Sequence, residues 1–223
     1  MWFSVVLLAV TAFARLSIWR PPPHRRPPNL GASRSLTIAT FLLAAGFAAQ
    51  AHPFDTWIDT TLGNPVGADH VSDLAHTLTI MAACGLLGLI PLRDPRREQW
   101  RSPWGVLVVV LMAVAVVASR LGAVAITANE SYQNSLAVVV VASCVLIVVS
   151  TVRRLRGARL LAAMTFAALA ALGSAGLTVY TLIAAPTFMQ DHYDQMLTVT
   201  SVPVAVGVSA AGLYGLWLGW RRS

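Results

Sequence analysis

Seven apolar stretches separated by short polar connectors dominate the chain. They cover residues 2–19, 35–51, 72–92, 104–127, 135–152, 160–185 and 197–220. Each is near the ~20 residues an α-helix needs to cross the hydrocarbon core of a bilayer. The fourth is rich in valine, a weak helix former in water. A run of that length exceeds an ordinary strand, and backbone in lipid must satisfy its own hydrogen bonds. A helix is therefore predicted there too. The pattern predicts one all-α domain over residues 1–223, a polytopic membrane bundle of seven transmembrane helices with short loops.

The connectors fix its orientation. Those after the first, third and fifth stretches carry Arg20, Arg25, Arg26 and Arg34, then Arg93, Arg96, Arg97 and Arg101, then Arg153, Arg154, Arg156 and Arg159. Arg221 and Arg222 follow the seventh. Basic connectors stay in the cytoplasm, so the N-terminus is expected outside and the C-terminus inside. The other connectors are acidic or polar: Asp55, Asp59 and Asp69 within residues 53–69, Glu130 within 127–135, and Asp191 and Asp194. They are read as outer loops, with a turn at Gly63-Asn64-Pro65. Arg15, in the last turn of the first stretch, is expected to snorkel to the inner interface. No basic segment precedes that stretch, so it reads as an uncleaved anchor, not a signal peptide.

Composition agrees with this picture. Hydrophobic residues make up 57% of the chain and charged residues 11%, against about 25% charged in a soluble domain. The net charge of +7 would suggest nucleic acid in a soluble protein. Here the arginines line one side, so the expected partners are anionic lipid headgroups and a membrane or cytoplasmic protein, not nucleic acid. The location that follows is the plasma (inner) membrane, multi-pass. The proline-rich connector 20–34 reads as a stiff basic loop against those headgroups. Trp100, Trp104, Trp217 and Trp220 are placed as an inner aromatic belt. Cys84 and Cys144 fall within apolar stretches and are read as free thiols.

Small residues let helices approach closely in lipid. Gly85 and Gly88, Gly173 and Gly176, and Gly212, Gly215 and Gly219 are read as packing positions within one bundle. A homodimer through Gly215-xxx-Gly219 is the alternative.

Candidate chemistry is confined to the outer side. Arg120 is the one arginine off the topological pattern, roughly 10 Å below the outer end of its stretch at 1.5 Å per residue. An arginine at that depth should face the bundle and find a partner, with Asp73 the first candidate and Glu130 the second. Asp69, Asp73 and His76 recur at i, i+4 and i+7, on one helix face. Three readings remain open for this cluster: a structural ion pair, an outward-facing pocket for a small polar ligand, or a metal site drawing on His52, Asp69, His70 and His192 as well. Imidazole and carboxylate are suitable ligands, but no HExxH motif occurs. Nucleophile-elbow, P-loop and dinucleotide fingerprints are absent, and no cofactor is expected.

Trp19-Arg20-Pro21 at the end of the first stretch, and the segment Asp59 … Leu62-Gly63-Asn64-Pro65 … Asp73-Leu74-Ala75-His76-Thr77-Leu78, resemble a family of actinobacterial seven-span membrane proteins described as transporters. The resemblance covers the whole span layout, with its motif-like part confined to about 20 residues of this chain. It implies that Asp73 and His76 matter. Longer members carry a soluble cytoplasmic C-terminal domain, and this chain, ending at Arg221-Arg222-Ser223, reads as a short form. The expected function is a non-enzymatic sensor, anchor or accessory subunit. The alternatives are a small-solute transporter or channel and an intramembrane metalloenzyme.

Overall fold

The computed structural model describes residues 1–17, 30–62, 71–92, 103–121, 126–153, 163–173 and 193–221, and these are all-α. Eight helices occur among them: α1 (Trp2–Leu16), α2 (Leu30–Ala49), α3 (Phe54–Leu62), α4 (Val71–Leu92), α5 (Pro103–Leu121), α6 (Ile126–Arg153), α7 (Ala163–Gly173) and α8 (Tyr193–Arg221). Every apolar stretch holds one of them. The eighth, α3, lies where an outer loop was expected. Its nine residues repeat apolar side chains at Phe54, Trp57, Ile58 and Leu62, the i, i+3, i+4, i+8 spacing of a helix face. Two further boundaries differ from expectation. α6 begins at Ile126 and α8 at Tyr193, so residues 128–134, read as an outer loop, are helical. Backbone bonding continues into polar residues, which a hydrophobic pattern does not register.

α1 and α2, α2 and α4, and α4 and α5 pack antiparallel. Arg15 meets Thr37 and Phe13 meets Phe41 between α1 and α2. Gln50 meets Asp73 and Gly46 meets His76 between α2 and α4. Gly85 receives Val108 and Gly88 receives Trp104 between α4 and α5. α6 packs on α4 and α5, and α7 reaches α8 where Ala167 sits over Gly207. The first and last helices behave differently. Met1 bonds Thr198, Ser4 bonds Ser201 and Arg15 bonds Gly212, each pair 197 residues apart. A constant separation means that α1 and α8 run side by side in the same direction.

The glycines permit these approaches. A methyl group added at Gly207 would lie 2.9 Å from the Ala167 backbone nitrogen, and one at Gly85 would lie 2.8 Å from Val108. Gly212 faces Thr11 and Arg15, whereas Gly173 has no neighbour within 4 Å of its Cβ position among the described residues. Trp104 departs from the expected interfacial belt. It is only 8% exposed, stacked over Gly88 with its indole N–H donating to the Gly85 carbonyl at 3.0 Å. The space left by Gly88 takes the ring, and the Gly85 carbonyl satisfies its one donor.

On α1, α5 and α6 many large apolar side chains point outward, although Leu8, Trp104, Val108, Val139 and Ile147 are buried. On α1, Ser4, Leu8, Thr11, Ala12 and Arg15 are buried, while Phe3, Val6, Val10 and Phe13 are exposed. On α5 the exposed set is Val106, Leu107, Val109, Val110, Val114 and Val117. On α6, Val138, Val141, Val145 and Val149 point outward while Ser135 and Ser143 are buried. Among the described residues, one helix, Val71–Ile90 within α4, is by itself long and apolar enough to cross a membrane. α2 and α3 pass that test as a pair, but they are bent by 80°. The described apolar parts of α1, α5, α6, α7 and α8 are shorter, at 10–17 residues.

Candidate functional site

Two clusters of polar groups interrupt the apolar interior at opposite ends of the α1–α2 pair, the first largely half-buried and the second buried. The first gathers at the corner where α2 gives way to α3 and α4 begins. Gln50, in the turn closing α2, donates from Nε2 to Asp73 Oδ1 at 2.5 Å. One turn further along α4, His76 Nδ1 lies 2.8 Å from the Gly46 carbonyl oxygen. A carbonyl only accepts, so Nδ1 carries the proton, and in the neutral ring Nε2 is left as the acceptor. The imidazole also lies beside Phe47, with ring centroids 6.4 Å apart.

The start of α4 is tied to α3. Ser72 donates its backbone N–H to Asp59 Oδ1 at 3.0 Å and its hydroxyl to Asp59 Oδ2 at 3.1 Å. A helix leaves its first N–H groups without internal partners. Here a carboxylate 13 residues back in the chain takes one of them, and its charge suits the helix N-terminus. The α2–α3 joint is pinned from the other side by Trp2, whose indole N–H donates to the His52 carbonyl at 3.1 Å.

The second cluster lies at the opposite end of α1, and its centre is Arg15. The side chain expected to snorkel is instead 1% exposed. Nε donates to Thr37 Oγ1 at 3.1 Å and Nη1 to the Gly212 carbonyl at 2.5 Å. The guanidinium thus links α1, α2 and α8. Snorkelling needs a path to water, and α2 and α8 close over the side chain where Gly212 leaves room for its stem, 3.2 Å from the position a Cβ would take. The sequence carried a signal for this. Ser4, Thr11 and Arg15 recur at i, i+7 and i+11, a polar seam on an otherwise apolar helix. Ser209, three residues before Gly212, is buried with a hydroxyl that has no hydrogen-bond partner among the described residues.

Of the residues singled out by sequence, the structure brings Asp73 and His76 to the α2–α3–α4 corner. Arg120 and Glu130 sit on α5 and α6, but their side chains, and hence the expected pairing of Arg120 with Asp73 or Glu130, lie outside the described residues. Asp69, His70 and His192 also lie outside them. His52 is exposed, with Nδ1 3.3 Å from Thr56 Oγ1. Among the described residues, no group of three or more His, Cys, Asp or Glu side chains could hold a metal ion. Cys84 and Cys144 are free thiols. Comparison with models of known protein families, with curated proteins and with solved structures finds no match.

Proposed function

We propose that the chain is a multi-pass protein of the plasma membrane, crossing it seven times through α1, α2, α4, α5, α6, α7 and α8. In this reading the N-terminus is outside, and the protein acts as a non-enzymatic sensor, anchor or accessory subunit. The observation that carries the membrane reading is the outward apolar surface. In water, burying Phe3, Phe13, Val109 and Val141 in place of Ser4, Thr11 and Ser143 would be favoured by about 25 cal/mol per Å2 of apolar area. The observed arrangement is the reverse for these helices. It suits lipid, where association comes from small residues and interhelical hydrogen bonds.

The parallel run of α1 and α8 supports the odd number of crossings. Two spans in the same direction require an odd number of spans between them, and five lie between in this count. α4 fits the bilayer directly, since its 22 residues extend about 33 Å at 1.5 Å per residue, close to the ~30 Å hydrocarbon core. The arginines of the alternate connectors then lie together on the cytoplasmic side, where they would meet anionic headgroups or an acidic partner. The resemblance to the actinobacterial seven-span family supports the same layout.

The non-enzymatic reading rests on the polar clusters themselves. Their described groups are engaged in joining helices: Asp59 and Asp73 fasten α3 and α2 to α4, and Arg15 fastens α1 to α2 and α8. Chemical crosslinking in native membranes should recover a specific protein partner. Recovery of none, together with solute uptake by the purified protein in vesicles that is lost in Arg120→Ala, would favour the transporter reading instead.

A further inference from the structure

α3 has no buried residue and stands at 80° to α2. Its apolar residues occupy one face and Asp55, Thr56, Asp59 and Thr60 the other, at 100° per residue. That apolar face does not close onto the bundle. It roofs a cleft of about 320 Å3 whose walls include Ala45 and Ala48 of α2, Ala75 and Thr79 of α4, and Phe54 and Ile58 of α3. Among the described residues, no charged side chain lines this cleft, and its volume is in the range of small-molecule sites.

The surroundings point to one occupant. The Trp2 ring packs on Phe54 with centroids 5.6 Å apart, so the exposed apolar face of α1 meets that of α3 at this contact. On the membrane reading above, which this inference rests on, that face meets lipid. A helix lying across the end of the spans is then in the interface plane, with Trp57, 61% exposed, at the depth that tryptophan favours. On its other face Thr56 and Thr60 are exposed, while Asp59 reaches back to Ser72 of α4. We propose that α3 is an outer-leaflet interfacial helix and that the cleft beneath it holds an acyl chain of an outer-leaflet phospholipid. The alanines supply the depth, and Phe54 and Ile58 cover the chain from above.

The test uses the full chain reconstituted in phosphatidylcholine–phosphatidylglycerol vesicles carrying a trace of phosphatidylcholine with a diazirine in its acyl chain. After photolysis, labelled residues are mapped by peptide mass spectrometry. The expected result is labelling of the α2–α4 cleft walls that falls at least fivefold in Ala48→Phe, which fills the cleft. Labelling on the Val109–Val110 face of α5 stays unchanged. Ala45→Phe, at an exposed position, repeats the experiment with less risk to folding. Cleft labelling equal in wild type and both variants would overturn the proposal, as would its absence while α5 is labelled. Crosslinked dimers joined through α3 would also overturn it by making a second copy the occupant. Absence of labelling on α5 as well would instead refute the membrane reading.

Discussion

The corner at α3 and the seam at Arg15 solve the same problem with different means. Both place polar groups inside an apolar bundle, and both use them to join three helices. The corner works over short range: its carboxylates reach partners 13 and 23 residues away. The seam joins residues 197 apart through one cation and a helix carbonyl. A short-range corner can form as soon as α2, α3 and α4 exist. The seam can close only when α8 returns beside α1. The corner therefore sets local geometry, whereas the seam fixes the parallel pairing that holds the two ends of the chain together.

That contrast predicts a graded response to substitution, measured as unfolding in detergent. Arg15→Ala should have the largest effect, about 3 kcal/mol, from lost charge-assisted hydrogen bonds and lost stem packing. Arg15→Met keeps the stem and removes the charge, so it should restore most of that loss. A full loss in Arg15→Met would assign the seam's strength to its hydrogen bonds alone. Gly212→Ala comes next, at ~2 kcal/mol, because the added methyl lies 2.8 Å from Thr11 Cγ2 and 3.2 Å from Arg15 Cδ. The two changes share one space, so the double variant with Arg15→Ala should lose less than the sum. An additive result would break the account of the seam.

The corner should respond more weakly and more locally. Asp59→Ala removes the acceptor at the start of α4 and should cost ~1 kcal/mol. Hydrogen exchange should rise in the first turn of α4 and in α3, with protection unchanged at Arg15. Asp59→Asn, which keeps one acceptor oxygen, should recover part of the loss. Ser4→Ala should be the smallest, ~0.6 kcal/mol for one interhelical hydroxyl pair. Exchange spreading from Asp59→Ala into α1 and α8 would erase the distinction between the two regions.

Much of the corner was legible in the sequence. Asp73 and His76 share a helix face by spacing alone, and both face α2. What could not be read was their partners. Gln50 and the Gly46 carbonyl become neighbours only when α2 folds back on α4. Asp59 looked like one acid of an outer loop, because the apolar repeat Phe54, Trp57, Ile58 and Leu62 is short and broken by aspartates. Arg15 was misjudged for a different reason. An arginine near the end of an apolar stretch satisfies the positive-inside pattern whether it reaches the interface or turns inward. Only the seam of Ser4, Thr11 and Arg15 separates the two cases. Trp104 is the same lesson in an aromatic: position suggested a belt, and the glycines opposite decided otherwise.

The central claim is an odd number of crossings with α1 and α8 parallel. It is tested most directly by reporters at both termini of one chain in intact cells. One is a fluorescent protein that matures only in the cytoplasm, placed at the C-terminus. The other is an epitope at the N-terminus, read by antibody without permeabilisation. The account predicts a fluorescent C-terminus and a surface-exposed N-terminal epitope on the same cells. Both termini on one side of the membrane would contradict it.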